Sequence, residues 1–541
     1  MLPTFTALLP QTVLLVAACL LFLGGSSPAR RKVWGTLSIL ALLVSGICLM
    51  LMPQLMERVV GGLPTESVGP ANLIVTDSLS WLFQWVFLAA GLLFTLMALS
   101  EQSDSASAAE FYGLLLTLIA GLMLVASANE LILLFLGLEL VSIPTYVLLY
   151  LGRRDNAAKE AAVKYFLLSV LSAAILLYGF SFLYGLTGTT NLTGIRMVLS
   201  ASYVEPAAIM AQATGSRLGI LALVLIFSGL GFKIAAVPFH FYAPDVYQGT
   251  TAWNAGLLAF APKAAGFLAL IRVASYAMPG FENSGETIAL ILAMFTMTVG
   301  NILALLQTNI RRLLAYSSIA HAGYMLIGIA VGFWESWNPG QRLDPLFGLP
   351  GGIQSCLFYL IVYSLVTVGI FAVLVYLQRP NAQIEHIDDL TGLWRTQPLV
   401  AISAALFLFS LMGIPPLPGF WGKLTIFAGA LTPRADVTAL PIPKTWFLVL
   451  AVVGVLNAAI AAVYYLRIVG IMFLHDPLGS REPSGGRPAY ATIIVTATLT
   501  LGIGIQARPI LNYLRNVNAP GQMEVVKEKP AEATSVAASR N

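Results

Sequence analysis

The chain has 541 residues, of which 58% are hydrophobic and only 10% charged, against about 25% charged in an ordinary soluble domain. With a mean hydropathy of +0.84, it reads as an all-α polytopic membrane protein with almost no room for a water-soluble domain. Its net charge of +4 is small and scattered, which argues against a nucleic-acid partner.

The N-terminal run "MLPTFTALLPQTVLLVAACLLFLGG" has no Lys or Arg before its apolar stretch, and the basic cluster Arg30, Arg31 and Lys32 follows it. That order fits a retained first span with its N-terminus outside rather than a cleaved signal. Apolar run lengths then predict fourteen spans, at 5–24, 33–53, 77–99, 111–128, 131–151, 161–187, 217–242, 253–277, 287–307, 311–333, 354–378, 399–427, 446–474 and 489–507. The twelfth can also be read as split. The connections after spans 1, 5, 9, 11 and 13 hold that first cluster together with Arg153, Arg154, Lys159, Arg311, Arg312, Arg379, Arg395, Arg481 and Arg487. The opposite side is poorer in Lys and Arg, so these loops are expected in the cytoplasm. The tail from Pro520 is polar and is expected to be disordered.

An internal repeat shows along this series. Asn129 and Asn309 each end one span and open the next, 180 residues apart, and the helix breakers Pro238 and Pro418 are also 180 apart. Five spans separate the copies, an odd number, so they run in opposite directions. That is the inverted-repeat plan of secondary transporters, in which paired interrupted helices mark the transport path.

Ionisable residues fall within these apolar spans. Glu139 lies about eight residues into span 5, roughly 12 Å deep. Lys263 is near the middle of span 8, and Lys233 should lie at a similar depth, because the two helices are antiparallel neighbours joined by a short turn. Lys423 occupies the second interrupted span, while Lys164 near the start of span 6, His321 in span 10 and His240 beside Pro238 complete the set. Each mid-helix charge costs about 2.5–3.5 kcal/mol on insertion scales, which an apolar helix would not carry idly. The plainer readings are a buried Glu–Lys pair that only fixes packing, a Lys164 that snorkels to the interface, and histidines hydrogen-bonded in the bundle. Against them stands the placement of the breakers. Pro238 leaves the carbonyl of Ile234 unpaired beside Lys233, and Pro415, Pro416 and Pro418 free those of Leu411, Met412 and Ile414 upstream of Lys423. Freed backbone in a membrane must be met by protein or water. Water beside an amine whose affinity for protons responds to a nearby carboxylate makes a proton-relay station. A Lys/Glu/His chain suits protons better than an organic solute.

Cys19, Cys48 and Cys356 stand singly in apolar segments, and no CxxC, CxxCH or Cys/His pair at ligand spacing exists. Iron–sulfur, haem c and zinc sites are therefore not expected, nor is any metal. Without a GxGxxG or GxxxxGK[ST] motif, no nucleotide site is expected either.

The segments "FKIAAVPFHFYAPDVYQGT", "APKAAGF", "RRLLAYSSIAHAGYMLIG" and "GIPPLPGFWGKLTIF" resemble the subunit N family of the proton-pumping NADH–quinone oxidoreductase, respiratory complex I, with its chloroplast, cyanobacterial and mitochondrial members. The resemblance runs from about residue 75 to about 475. It implies a fourteen-helix antiporter-like subunit with two inverted five-helix repeats and discontinuous helices 7 and 12. Residues 1–110 then form helices 1–3, 111–277 the first repeat (helices 4–8), 287–474 the second (helices 9–13), 489–519 the last helix and 520–541 the tail. By motif position Glu139 is similar to the family's helix 5 glutamate, Lys233 to its helix 7 partner, Lys263 to the central helix 8 lysine, His321 to the helix 10 histidine and Lys423 to the helix 12 lysine. One departure is "TTAWNAGLLAFAP", where many relatives have a proline-containing turn and a Ser-rich helix start. The sister subunits L and M and the multisubunit sodium/proton antiporters typically show an H-x-W-L-P-x-A-H-like segment where this chain has "VPFHFYAPDVY", which favours subunit N.

The function implied is outward proton pumping in a bacterial inner membrane, driven by quinone reduction elsewhere in the complex. No cofactor would be bound by this chain; NADH, FMN, iron–sulfur clusters and quinone would belong to other subunits. Its partners would be the other membrane-arm subunits, antiporter-like ones among them, and the lipid bilayer. The rival readings are a subunit of a cation/proton antiporter, which predicts sodium-dependent transport, and a passive membrane-arm scaffold, which predicts that neutralising the central lysines affects assembly but never coupling.

Overall fold

The computed structural model describes residues 2–25, 31–60, 73–100, 107–153, 155–201, 209–337, 350–378, 384–431, 444–477 and 485–517. The tail from Pro520 lies outside them. The main helices are α1 (Leu9–Gly24), α2 (Arg31–Val60), α3 (Ser78–Leu99), α4 (Ala108–Ser127), α5 (Leu131–Gly152), α6 (Asn156–Thr187), α7 (Ile209–Ile234), α8 (Ala252–Leu270), α9 (Glu282–Leu305), α10 (Ile310–Trp337), α11 (Gly352–Leu377), α12 (Pro398–Met412), α13 (Pro418–Ala430), α14 (Lys444–Leu474) and α15 (Gly486–Ile505). Among the described residues there is no strand, only three isolated bridges.

Twelve of these helices are long and apolar enough to cross a membrane. Two expected spans fall short of that measure. The first is the 16-residue α1; the twelfth is divided into α12 and α13, of 15 and 13 residues. At 1.5 Å per residue, neither half of the twelfth covers a hydrocarbon core of about 30 Å.

Local chemistry starts several of these helices. Asp77, Glu130, Asp155 and Thr251 each turn a side-chain oxygen onto a backbone N–H in the first turn of α3, α5, α6 and α8, satisfying donors that have no helical partner. Every residue of α8 is buried, and α10 is enclosed along its apolar length. By contrast, α2, α6 and α14 present Leu40, Met50, Leu167, Leu171, Val455 and Val463 outward. Because lipid is as apolar as these side chains, such faces need no protein cover. The enclosed pair α8 and α10 forms the axis on which Lys263 and His321 sit.

The interrupted spans depart from expectation in an informative way. α7 stops at Ile234 instead of running through 242, so Pro238 lies in a non-helical connection that leads to a short helix, Tyr242–Gly249. The stop is already made by the backbone: Ala235 N–H bonds the Phe232 carbonyl at 3.0 Å and Ala236 N–H the Gly231 carbonyl at 2.8 Å, with Ala235 at φ 57°. This is the Schellman closure, usually made by glycine because a Cβ is strained there. α12 closes in the same way, with Gly413 at φ 93°, its N–H on the Ser410 carbonyl at 3.1 Å and Ile414 N–H on the Phe409 carbonyl at 3.1 Å.

One ion pair ties the opposite end of α8 to the bundle. The 7-residue π-turn Ile271–Ala277 continues α8, and its Arg272, 1% exposed, makes a bidentate pair with Asp77 at 2.6 and 2.8 Å and donates to the Ala126 carbonyl at 2.7 Å. Burial opposes charge on Asp77, but Arg272 outweighs it and holds the carboxyl below the usual carboxylate range. A carboxyl depressed in the folded state contributes stability above its unfolded pKa of about 3.9 and loses it as pH falls through the folded value. The pair is therefore intact at neutral pH. Asp77→Asn strands a buried guanidinium and is expected to cost on the order of 3 kcal/mol, read as a lower thermal midpoint of the detergent-solubilised protein at pH 7.

Candidate functional site

Lys233 stands in the last turn of α7, where the negative end of the helix dipole favours an ammonium group. Its Nζ contacts Ser142 Oγ of α5 and donates to Ser169 Oγ of α6 at 3.2 Å. Glu139 Oε1 of α5 is 3.6 Å away, with Lys233 2% and Glu139 18% exposed. At that separation the two form an ion pair but no direct hydrogen bond, and the serines occupy the near shell of the amine. Tyr146 of α5 donates to Ser169 Oγ at 2.9 Å and extends the group.

α8 packs closely against this end of α7. A Cβ at Gly266 would lie 2.6 Å from Ile234 Cγ2 and 3.1 Å from Lys233 Cβ, so only glycine permits the approach. Gly266 is three residues from Lys263, which sets the backbones of the two lysines within about one helical turn in depth, as their spacing predicted. Pro262 inside α8 removes the backbone bond to the carbonyl four residues earlier, directly beside Lys263.

Lys263 turns to α10. Its Nζ contacts the Ser318 carbonyl and donates to Ser318 Oγ at 2.5 Å, and it lies 4.7 Å over the Tyr363 ring. Tyr363 OH donates to the same Ser318 Oγ at 2.7 Å. Among the described residues no carboxylate pairs with this amine, so neutral dipoles and a π face solvate it.

His321 is one turn further along α10. Its Nδ1 is 2.7 Å from Tyr359 OH and its Nε2 2.9 Å from Tyr465 OH; Tyr465 also contacts Ser317 Oγ. A neutral imidazole has one donor and one acceptor nitrogen, so one tyrosine donates to the ring and the other accepts from it. Beyond it, Tyr324 packs edge-on at 5.8 Å and lies under Lys423 Nζ at 4.9 Å. Lys423, on α13, donates to the Met412 carbonyl at 2.9 Å. That carbonyl is one of those the proline run was expected to free, and it sits at the C-terminal end of α12.

The two other expected residues lie apart from this series. His240 is buried in the connection after α7, its ring tilted against Phe241 with centroids 4.7 Å apart, and its Nδ1 has no hydrogen-bond partner among the described residues. Lys164 pairs with Glu160 at 2.7 Å and Asp245 at 3.0 Å, not with Glu139 and Lys233. Its 41% exposed side chain fits the snorkelling alternative.

Ser317, Ser318 and Tyr324 were not singled out in the sequence, although with the expected His321 they follow one another at helical spacing in "AYSSIAHAGYM" and form a polar stripe on one face of α10. That stripe was a legible signal. Tyr359, Tyr363 and Tyr465 carry no charge, and nothing in an apolar helix marks them. Glu286, buried on α9, passed unnoticed because it lies near a predicted span end.

The family described as "NADH:quinone oxidoreductase/Mrp antiporter, TM" matches residues 128–339 and 346–442. NADH-quinone oxidoreductase subunit N 2 of Rhizobium meliloti is 34% identical over 504 residues, covering 92% of this chain and 94% of that protein. A chain of respiratory complex I from Thermus thermophilus matches with a TM-score of 0.70 at 31% identity, over 93% of this chain and 99% of that one. A chain of the Mrp complex from Dietzia has a TM-score of 0.75 at 20% identity, covering 96% and 99%, and shares the fold. On the family match over both segments and the 34% identity across 92% of its length, the chain belongs to the antiporter-like membrane subunits of NADH-quinone oxidoreductase, in the subunit N family.

Proposed function

We propose that this chain carries protons outward across a bacterial inner membrane along the series Glu139–Lys233, Lys263, His321 and Lys423, using energy released by quinone reduction in other subunits. The observation that carries this reading is the polar stripe of α10. Ser318 ties Lys263 to the Tyr363 hydroxyl, His321 bonds the hydroxyls of Tyr359 and Tyr465, and Tyr324 packs on His321 and lies under Lys423 Nζ, all of these side chains being buried. Hydroxyls and an imidazole between amines are groups that both give and take a proton. Lys263, flanked by dipoles alone, would respond to charge on the neighbouring Lys233.

The two-repeat architecture of 111–277 and 287–474, with fourteen membrane helices in all, is part of the same proposal. Its support is the common closure of α7 and α12, whose left-handed residues Ala235 and Gly413 stand 178 residues apart, close to the 180 read from the breakers. The two breaks differ in where the amine stands: Lys233 precedes its break, whereas Lys423 follows its own and reaches back. Both arrangements set a lysine against the C-terminal end of a half-helix. The NADH, flavin, iron–sulfur and quinone chemistry is assigned to partner subunits, and the loops holding Arg153, Arg311 and Arg312 to the cytoplasmic side.

The test is proton movement in sealed vesicles that contain the assembled complex, with Lys423→Ala compared with the unaltered protein. The expected result is NADH-driven acidification that is independent of sodium and falls by about tenfold or more in the variant, within the range of a lost acid–base group. Sodium-dependent acidification would replace this reading with that of a cation antiporter.

A further inference from the structure

The short helix Tyr242–Gly249 follows the break after Lys233 and is gripped from two sides. Asp245, in its first turn, receives Lys164 Nζ of α6 on Oδ2 at 3.0 Å and Arg312 Nη1 of α10 on Oδ1 at 2.6 Å. Arg312 also donates to Gln248 Oε1 at 3.0 Å. The adjacent Arg311, buried, contacts the Thr250 carbonyl at the end of the same helix and pairs with Glu385 at 3.2 Å. α10, which bears the Ser318–His321 stripe, thus holds this helix at both ends.

The short helix is in turn tied to Lys233. Tyr242 OH donates to the carbonyl of Phe232, the residue before Lys233, at 3.0 Å, and its ring stacks on Phe232 at 4.3 Å. Between Ala236 and Phe241 no helical ladder carries the connection. The position of the short helix is therefore set by its side-chain contacts, and the end of α7 follows it through Tyr242.

Resting on the proton-carrying reading above, we propose that Asp245 is a positioning residue for Lys233: by accepting Lys164 and Arg312 together, it fixes the short helix and thereby the placement of the Lys233 amine relative to α10. Lys164 has a second carboxylate, Glu160 of its own helix at 2.7 Å, so it can let go of Asp245 without losing its counter-charge. Burial opposes charge on Asp245, but Lys164 and Arg312 outweigh it and keep the carboxyl below the usual carboxylate range. The clamp is charged at neutral pH.

The experiment uses the assembled complex in membrane vesicles and measures the yield of protons per electron for Asp245→Asn, Asp245→Glu, Lys233→Ala and the double variant Asp245→Asn/Lys233→Ala. A misplaced reacting group can cost about 10²-fold; the expected loss in Asp245→Asn is about tenfold, with recovery in Asp245→Glu. Because Asp245 acts through Lys233, the double variant is expected to match Lys233→Ala alone. A full proton yield in assembled Asp245→Asn overturns the proposal, as does a loss that adds to that of Lys233→Ala or that glutamate does not restore. If Asp245→Asn does not assemble, Arg312→Gln removes one of the two partners and is read in the same way; failure of both to assemble assigns Asp245 a structural role only. A normal proton yield in assembled Lys233→Ala would instead remove the relay reading itself.

Discussion

Lys263→Ala is expected to give a complex that assembles but moves protons at least about 10²-fold more slowly, the scale of losing a positioned acid–base group. The reason is its place in the bundle. Every residue of α8 is buried, and Lys263 is the amine that joins the α7 side to Ser318 and Tyr363 of the α10 side. Alanine leaves Ser318 and Tyr363 hydrogen-bonded to each other, so the fold loses a cation that paired with no carboxylate among the described residues. Its removal therefore strands no carboxylate there, and assembly should survive. The measurement is NADH-driven acidification of vesicles, normalised to the amount of complex on a native gel. Unchanged proton yield in Lys263→Ala would favour the scaffold reading.

Glu139→Gln is expected to behave in the opposite sense. Here the pair is ionic, and removing the carboxylate leaves Lys233 buried with only serine hydroxyls around it. Breaking one side of a buried pair costs about 3–5 kcal/mol; with Glu139 18% exposed, the lower end applies. Glu139→Gln should therefore lower both the thermal midpoint and the yield of assembled complex. Glu139→Gln combined with Lys233→Met removes both charges and should recover most of the stability while leaving proton movement depressed. A double-mutant cycle reads the coupling directly. Additive losses of stability would mean that the two side chains do not act as a pair.

How much of this was legible in the sequence follows from which physics each feature obeys. Membrane insertion is a local, composition-driven process, so apolar run lengths found most of the spans, and the motifs around Lys233, Lys263, His321 and Lys423 pointed to the family that the comparisons then identified. The half-helices were less legible. A proline marks where a helix cannot continue, yet α7 ends four residues before Pro238 because Ala235 adopts a left-handed conformation that alanine does not advertise. The neutral side chains that contact the lysines and His321 were hidden for another reason: a tyrosine or serine costs little in an apolar helix, and only a partner across the bundle gives it meaning.

Class, family and charged residues are readable along the chain, because burying a charge in lipid is expensive wherever the helix later packs. Which charges meet depends on how the helices pack. Lys164 and Lys233 are both lysines of apolar helices, yet one faces Asp245 and Glu160 at 41% exposure and the other is enclosed beside Glu139, Ser142 and Ser169. Apart from Glu160, their partners lie tens of residues away on other helices, and the direction a side chain takes from its helix is set by packing rather than by its neighbours in sequence.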